Sequence, residues 1–399
     1  MKPFSLFHRP RFPTELLKLN SAIKRITTLF FIYDLGWGIV APLFTLYIST
    51  LFGNYKTVGI LAAALEFFAL LFGLFLGPLL DKLEKRSLIS TTLFLYLPFT
   101  PLLFALSTLT QLILFRVYHA AIASGLWLTG EAYVREHSEP QKEAQSIGLF
   151  DFGVGASQVL GGLLGAALVV TLGFNLIYAV SIFGGIAFIV SLSLPDKTKR
   201  KSLASSINAF SIKSLKQSII HFKHNKQATK LLLYAFPYYF VAAMLPLMIP
   251  LFVKSIGGSL SLACLASALF YVPMLFESYF CIAKNQKQVF TIALISGLVL
   301  FILLSFVITS ILPIFLLTLA LGVTFAAIAP NISGHLTQLL NKKKIGEQTS
   351  VIFAVKSLAA ATGLITAGFV ADGFGLKYVF MIGALAFIIL LIFKHKIEL

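Results

Sequence analysis

The chain has 399 residues, 58% of them hydrophobic and only 12% charged, with a mean hydropathy of +0.91. That composition excludes a water-soluble globule of this length and makes the bilayer the solvent. A formal charge of +17 would suit nucleic acid, but the placement of the basic residues assigns it to the membrane surface.

In chain order, residues 1–27 hold six basic residues and no apolar core. No cleavable signal is read there, and the first span serves as the insertion signal. Behind Pro13, Leu16, Leu19, Ile23 and Ile26 form an apolar stripe. A crossing needs ~20 apolar residues to cover ~30 Å of hydrocarbon, and such runs lie at 28–50, 57–80, 88–107, 110–134, 145–170 and 174–194. Next comes the longest polar segment, 195–228, with eight Lys or Arg against Asp196. Its Phe210, Ile212, Leu215, Ile219 and Phe222 recur at near-helical spacing, which suits either a helix lying on the inner leaflet or a solvated linker. Six further runs lie at 229–252, 260–283, 288–309, 311–338, 347–371 and 376–394. Runs this long lack the alternation of barrel strands, so the expected class is an all-α membrane protein of about 12 transmembrane helices. The expected division is a cytoplasmic N-terminal segment 1–27, a six-helix bundle 28–194, a basic cytoplasmic linker 195–228, a second six-helix bundle 229–394 and a cytoplasmic tail 395–399.

With both termini in the cytoplasm, all but five of the 32 Lys and Arg fall on the cytoplasmic side. The exceptions are Lys56, Lys254 and Lys377 on the other side and Arg116 and Lys356 inside spans. This is the positive-inside asymmetry. It implies a multi-pass protein of the plasma (cytoplasmic) membrane whose basic charge meets anionic lipid, with no nucleic-acid partner. Cys264 and Cys281 share the eighth run, so neither a disulfide framework nor a metal site is expected.

After the second span comes Gly77-Pro78-Leu79-Leu80-Asp81-Lys82-Leu83-Glu84-Lys85-Arg86. The segment resembles the GxxxD(R/K)xGR(R/K) loop signature of the major facilitator superfamily, with Glu84 where that family has Gly. Other pieces follow in the family's order. Gly36-Trp37-Gly38 through Pro42 resembles its first helix, and Arg116 its RxxxG region, with Ala120 for Gly. Ala132-Tyr133-Val134-Arg135-Glu136 resembles the exit of its fourth helix. Gly155, Gly161-Gly162 and Gly165-Ala166 resemble the glycine-rich antiporter stretch, with Gly162 in place of Pro. Gly346 and Ala371-Asp372-Gly373-Phe374-Gly375 resemble the connection near the end. The resemblance implies two six-helix bundles with spans 1, 4, 7 and 10 around a cavity and spans 2, 5, 8 and 11 at the bundle interface. It further implies alternating access by rocking, and a charge cluster of Gly77, Asp81, Lys85, Arg86 and Glu136 that stabilises one conformer.

Charge inside the membrane costs roughly 2.5–3.5 kcal/mol per group on insertion scales unless a partner or water is present. Asp34, Glu66, Arg116, Asp151, Glu277 and Lys356 lie within spans and are the candidates for proton coupling or substrate contact. Depth counting sets Glu66 opposite Lys356, which predicts an ion pair across the bundles, and sets Asp151 beside Glu277, which predicts a shared proton. Trp37, His119, Trp127, Tyr234, Tyr238 and Tyr239 are candidates for lining a pocket, with ordinary helix packing as the alternative.

These readings point to a secondary transporter of a small organic solute, proton-coupled and exporting, with the proton gradient as energy source and no cofactor. Proton-driven uptake of a sugar or organic acid is the alternative within the class. From other classes, a non-transporting receptor or an intramembrane enzyme stays open, although no cluster of nucleophile, base or metal ligands shares one depth. There is no GxxxxGK(S/T) for a nucleotide. Small-molecule substrate and membrane lipids are the expected partners of a monomer.

Overall fold

The computed structural model describes residues 20–80, 83–139, 143–195, 225–277, 280, 285–306, 310–338 and 345–394, all helix, turn or connection. Asp81, the amphipathic part of the linker and Cys281 lie outside the described residues. The helices are α1 (Ser21–Phe52), α2 (Tyr55–Leu80), α3 (Lys85–Leu95), α4 (Phe99–Phe104), α5 (Leu109–His137), α6 (Glu143–Leu172) and α7 (Ala179–Ser191). After the linker come α8 (Lys226–Ser255), α9 (Leu260–Tyr271), α10 (Gln286–Phe306), α11 (Ile311–Gln338), α12 (Ile345–Phe374) and α13 (Leu376–Phe393).

Local chemistry sets the ends. Asn20 opens α1 by accepting from the Ile23 N–H, and Gly53 closes it with φ of 69°, a left-handed turn that favours glycine. Thr108 and Gln111 form a reciprocal capping box on α5. Asn225 and Ser259 cap α8 and α9 in the same way as Asn20. Glu84, which replaces the loop glycine of the family signature, stands at the N-cap position of α3 without a side-chain capping bond, at φ −67° and ψ 107°, a conformation open to any residue.

Among the described residues, ten segments are long and apolar enough to cross a membrane. One of them, Gln145–Ser191, is 47 residues long, more than twice what one crossing needs at ~1.5 Å per residue. It turns at Gly173, where φ is 55°, and returns as α7. The shorter apolar helix Leu260–Phe276 makes another crossing. With α3 and α4 already counted among the ten as the single segment Lys85–Phe104, the returning α7 and this helix bring the described residues to the twelve crossings the sequence predicts.

Two bundles result. In the first, α1 packs on α6 and α7, and α2 on α5. In the second, α8 packs on α12 and α13, and α10 on α11 and α13. Between bundles, α2 lies along α12 and α6 along α9, with smaller contacts of α1 to α8 and α9. We call the side where α7 ends and α8 begins the linker face.

Lipid tails are as apolar as leucine, so helices in a bilayer are held by close packing rather than by the hydrophobic effect. At the face opposite the linker, Gly59 of α2 meets Gly368 of α12 so closely that a Cβ on Gly59 would sit 2.7 Å from the Leu364 carbonyl oxygen and 2.8 Å from the Gly368 Cα. Beside this contact Asp372 Oδ1 accepts from the Tyr55 N–H at 3.1 Å, so α12 caps the first turn of α2. Lys56 Nζ lies 4.8 Å from the centre of the Phe369 ring. The α2–α12 seam is therefore closed at that face. Gly161 and Gly162 divide the labour on α6: Gly161 abuts Leu35 and Gly38 of α1, and Gly162 abuts Ala268 of α9 in the other bundle.

A leucine at Gly59 or Gly368 should prevent this closure. We expect either variant to insert normally, to lose transport, and to leave cysteines placed near Lys56 or Phe369 open to a membrane-impermeant thiol reagent. Unchanged labelling would show that the seam adapts.

Candidate functional site

Three groups of polar side chains sit in or beside the spans. The first lies inside the N-terminal bundle. Asp34 of α1 is 3% exposed and accepts hydrogen bonds from Ser157 Oγ at 3.0 Å and Gln158 Nε2 at 2.6 Å, both on α6. Its carboxylate joins two helices of one bundle. One turn further, Trp37 Nε1 donates to Tyr33 Oη at 2.8 Å, and the indole stacks on the His119 imidazole with centroids 4.9 Å apart and planes within 5°. Arg116 Nη1 donates to His119 Nδ1 at 3.0 Å. A guanidinium has no acceptor, so that ring nitrogen carries no proton. The guanidinium also lies 4.1 Å from the centre of the Phe44 ring, and its buried Nε has no protein partner. Tyr96 and Phe99 close the ring cluster around His119.

The charge that acts on Arg116 is Glu66 of α2, and Glu66 accepts a hydrogen bond from Ser357 of α12. A polar path thus runs from the second bundle through Glu66, Arg116 and His119 to Trp37. The expected Glu66–Lys356 ion pair is not formed. Depth counting was right to one residue, but neighbours on a helix point ~100° apart, so Ser357 faces Glu66 while Lys356 faces elsewhere.

Where Lys356 points defines the second group. Its Nζ lies 5.0 Å from the centre of the Tyr239 ring on α8, and its charge interacts with Glu131 of α5 and Asp151 of α6. Asp151 also interacts with Arg135, and Glu277, just beyond α9, interacts with Asp151. Asp151 keeps an exposed side chain. Spans 4, 5, 7, 8 and 11 therefore bring three acids and two bases together in the half of the interface nearer the linker face.

The third group sits at the linker face itself. Lys85 Nζ pairs with Glu136 Oε2 at 2.6 Å. Arg86 donates to the Leu192 carbonyl, Arg25 to that of Ser193 at 2.7 Å, and Tyr133 Oη to that of Pro195 at 2.7 Å. These contacts fasten the end of α7. Gly77 is buried in the last turn of α2, and the expected fourth charge, Asp81, lies outside the described residues.

The aromatic candidates part company. Trp37 and His119 stack, as above. Trp127 packs on Phe30 and Phe150 within its own bundle. Tyr238 packs on Tyr239 and Phe325, and Tyr234 on Phe290 toward the periphery. Sequence reasoning missed Glu131, Ser157, Gln158 and Ser357. Adjacent polar Ser157-Gln158 in a glycine-rich span was a usable signal for the first contact, whereas Glu131 sits too near the end of its apolar run to stand out.

Two six-helix bundles packed side by side, with ionisable groups along their interface, define a polytopic membrane protein of transporter-like fold. The Major Facilitator Superfamily model matches residues 26–284, and the chain belongs to that superfamily. Among solved structures, the nucleoside transporter NupG has a TM-score of 0.72 at 14% identity, covering 94% of this chain and 99% of that one. The human organic anion transporter MFSD10 (TETRAN) has a TM-score of 0.70 at 15% identity, covering 93% and 99%. A partially occluded inward-open structure of the xylose transporter XylE from E. coli has a TM-score of 0.73 at 12% identity, covering 95% and 98%. A search of curated protein sequences finds no match.

Removing Lys356 takes away the cation whose charge acts on Asp151 and Glu131. We expect Lys356→Met to lower transport at least about tenfold. Exchanging Lys356 with Asp151 should restore part of it, and exchanging Lys356 with Glu66 should restore none. Rescue by the second exchange alone would reverse the assignment.

Proposed function

We propose that the protein is a secondary active transporter that moves a small organic solute by alternating access, coupled to protons and working as an exporter. The observation that carries this reading is the charge group around Lys356. It spans both bundles, so its contacts must part when the bundles rock, and its acids must then be rehydrated or protonated. The positive-inside distribution makes the linker face cytoplasmic. The sealed Gly59–Gly368 seam then corresponds to closure toward the outside, with Asp151 reached from the cytoplasm. In this scheme Asp151 takes up the coupling proton, helped by Glu131 and Glu277, and Lys356 exchanges between the carboxylates and the Tyr239 ring. Asp34 holds α1 to α6 and is the second candidate for the proton. Trp37, His119 and Arg116 suit a solute with an aromatic or apolar body and an acceptor group, because a stacked indole and a buried guanidinium Nε stand together there.

A second reading, proton-driven uptake of a metabolite, draws support from the fold shared with a D-xylose-proton symporter and with NupG. The direction of flux separates the two.

In proteoliposomes, a solute chosen by thermal-shift screening should show counterflow without any gradient, and net flux when a pH gradient is imposed. Acid outside should drive efflux from the cytoplasmic side. Asp151→Asn should keep counterflow and lose the response to the gradient. If Asp34→Asn does so instead, coupling resides on α1. Absence of counterflow for every stabilising solute would refute transport.

A further inference from the structure

The seam between the first and last spans of each bundle is finished differently in the two halves. In the N-terminal bundle, α1 packs closely on α7, with Gly36 against Ala179 and Phe183. Its linker-face end is closed by Arg25 donating to the Ser193 carbonyl just past α7. The corresponding seam of the C-terminal bundle lies between α8 and α13, and among the described residues it stays open. A cavity of about 510 Å³ is lined there by Lys230, Leu233, Tyr234 and Pro237 of α8 and by Ile389, Leu390 and Phe393 of α13.

Several independent features say what occupies it. The walls are apolar, and Leu233, Ile389 and Phe393 are exposed large hydrophobic side chains on the outer, lipid-facing surface of their helices. Lys230 stands at the mouth with an exposed side chain. Among the described residues it has no hydrogen bond, ion pair or ring contact, in contrast to Arg25. It is the fifth residue of α8, hence within roughly 6 Å of the helix start at 1.5 Å per residue, the level of lipid headgroups. The first turn of α8 carries no acid, so its positive dipole end adds to Lys226 and Lys230. Neighbouring Lys394 is already engaged by the Thr291 hydroxyl. Inside the groove, the buried Tyr234 hydroxyl has no partner, and Pro237 has no N–H for the Leu233 carbonyl. A cationic mouth on an apolar trough, at this depth, matches one amphiphile with an anionic head.

We infer that the α8–α13 groove binds one anionic phospholipid of the leaflet at the linker face. Its phosphate sits on Lys230 and the first turn of α8, and one acyl chain lies between Leu233, Pro237, Ile389 and Phe393. A zwitterionic lipid would fill the trough equally well but would gain little at the mouth, since its own cation competes with Lys230. The site is independent of the transport reading, because it lies on the periphery of one bundle and away from the charge groups of the interface.

Native mass spectrometry of the full-length protein in detergent, with equal phosphatidylglycerol and phosphatidylcholine, tests this directly. Wild type should hold one phosphatidylglycerol with roughly fivefold preference, the scale of a single lysine against an anionic lipid surface. Lys230→Arg should keep the preference and Lys230→Gln should lose it. Leu233→Trp, at an exposed position, should crowd the trough and lower binding of both lipids. Phosphatidylglycerol should also raise the unfolding temperature of wild type and not of Lys230→Gln. Equal binding of the two lipids, or a preference that survives Lys230→Gln, would overturn the proposal. So would equal stabilisation by inorganic phosphate alone, which would make the mouth a simple anion site.

Discussion

Everything in this structure depends on how closely two helix backbones can approach in lipid. The bilayer removes the hydrophobic drive that packs soluble helices, leaving van der Waals contact and interhelical hydrogen bonds to hold the bundles. Glycine supplies the contact. Gly59 against Gly368 brings α2 and α12 together at one face, and Gly161 against Gly38 binds α6 to α1. Because these contacts are dispersion between closely fitted surfaces, a gap of only ~0.5–1 Å already forfeits a quarter to a half of their attraction. A seam made this way has two states rather than a continuum, which is what a rocking mechanism needs. The Asp372 carboxylate on the first turn of α2 adds a directional bond to the closed state.

The same constraint sorts the intramembrane charges into two kinds. Asp34 is saturated by Ser157 and Gln158, and both donors belong to a helix that moves with it. Rocking leaves that contact intact. Lys356 instead reaches from the second bundle toward Glu131 and Asp151 in the first, so rigid-body rotation acts on it directly. Glu66 stands between these cases. It is tied to Ser357 across the interface and to Arg116 within its bundle by charge, which makes the Arg116–His119–Trp37 stack sensitive to the position of α12. Conformational coupling can therefore reach the interior of one bundle through a single hydroxyl.

The fold was legible in the sequence because its signals are one-dimensional. Apolar run length, the polar break at 195–228 and the distribution of Lys and Arg all read along the chain, and twelve crossings in two bundles follow from them. Depth was legible too: counting residues placed Glu66 level with the right turn of α12, and Asp151 near Glu277. Rotation about the helix axis was not. One residue changes direction by ~100° while moving only ~1.5 Å along the axis, so Ser357 and Lys356 share a depth and face different helices. The same ambiguity hid Ser157 and Gln158 as the partners of Asp34. It also left open where the aromatic candidates point: Trp127 packs on Phe30 and Phe150, and Tyr234 lines a cavity at the periphery of its bundle.

The two bundles share an architecture but differ in how their linker-face ends are satisfied, and the difference follows from side-chain chemistry. In the first bundle, arginines at positions 25 and 86 donate to the carbonyls past the end of α7. Those carbonyls form the negative end of a helix dipole, and a planar guanidinium with several fixed donors suits them. Lys85 meets Glu136 alongside, so this end is internally complete. The second bundle has lysines at the matching level, Lys230 and Lys394, each a compact ammonium on a flexible stem. Lys394 is taken by Thr291, and the seam above Lys230 is left open. One bundle thus closes on itself while the other presents its basic end to the lipid. A lipid seated in that seam would touch α8, which carries Pro237, Pro246 and Pro250 inside its length, so its influence on the second bundle would enter through that helix first.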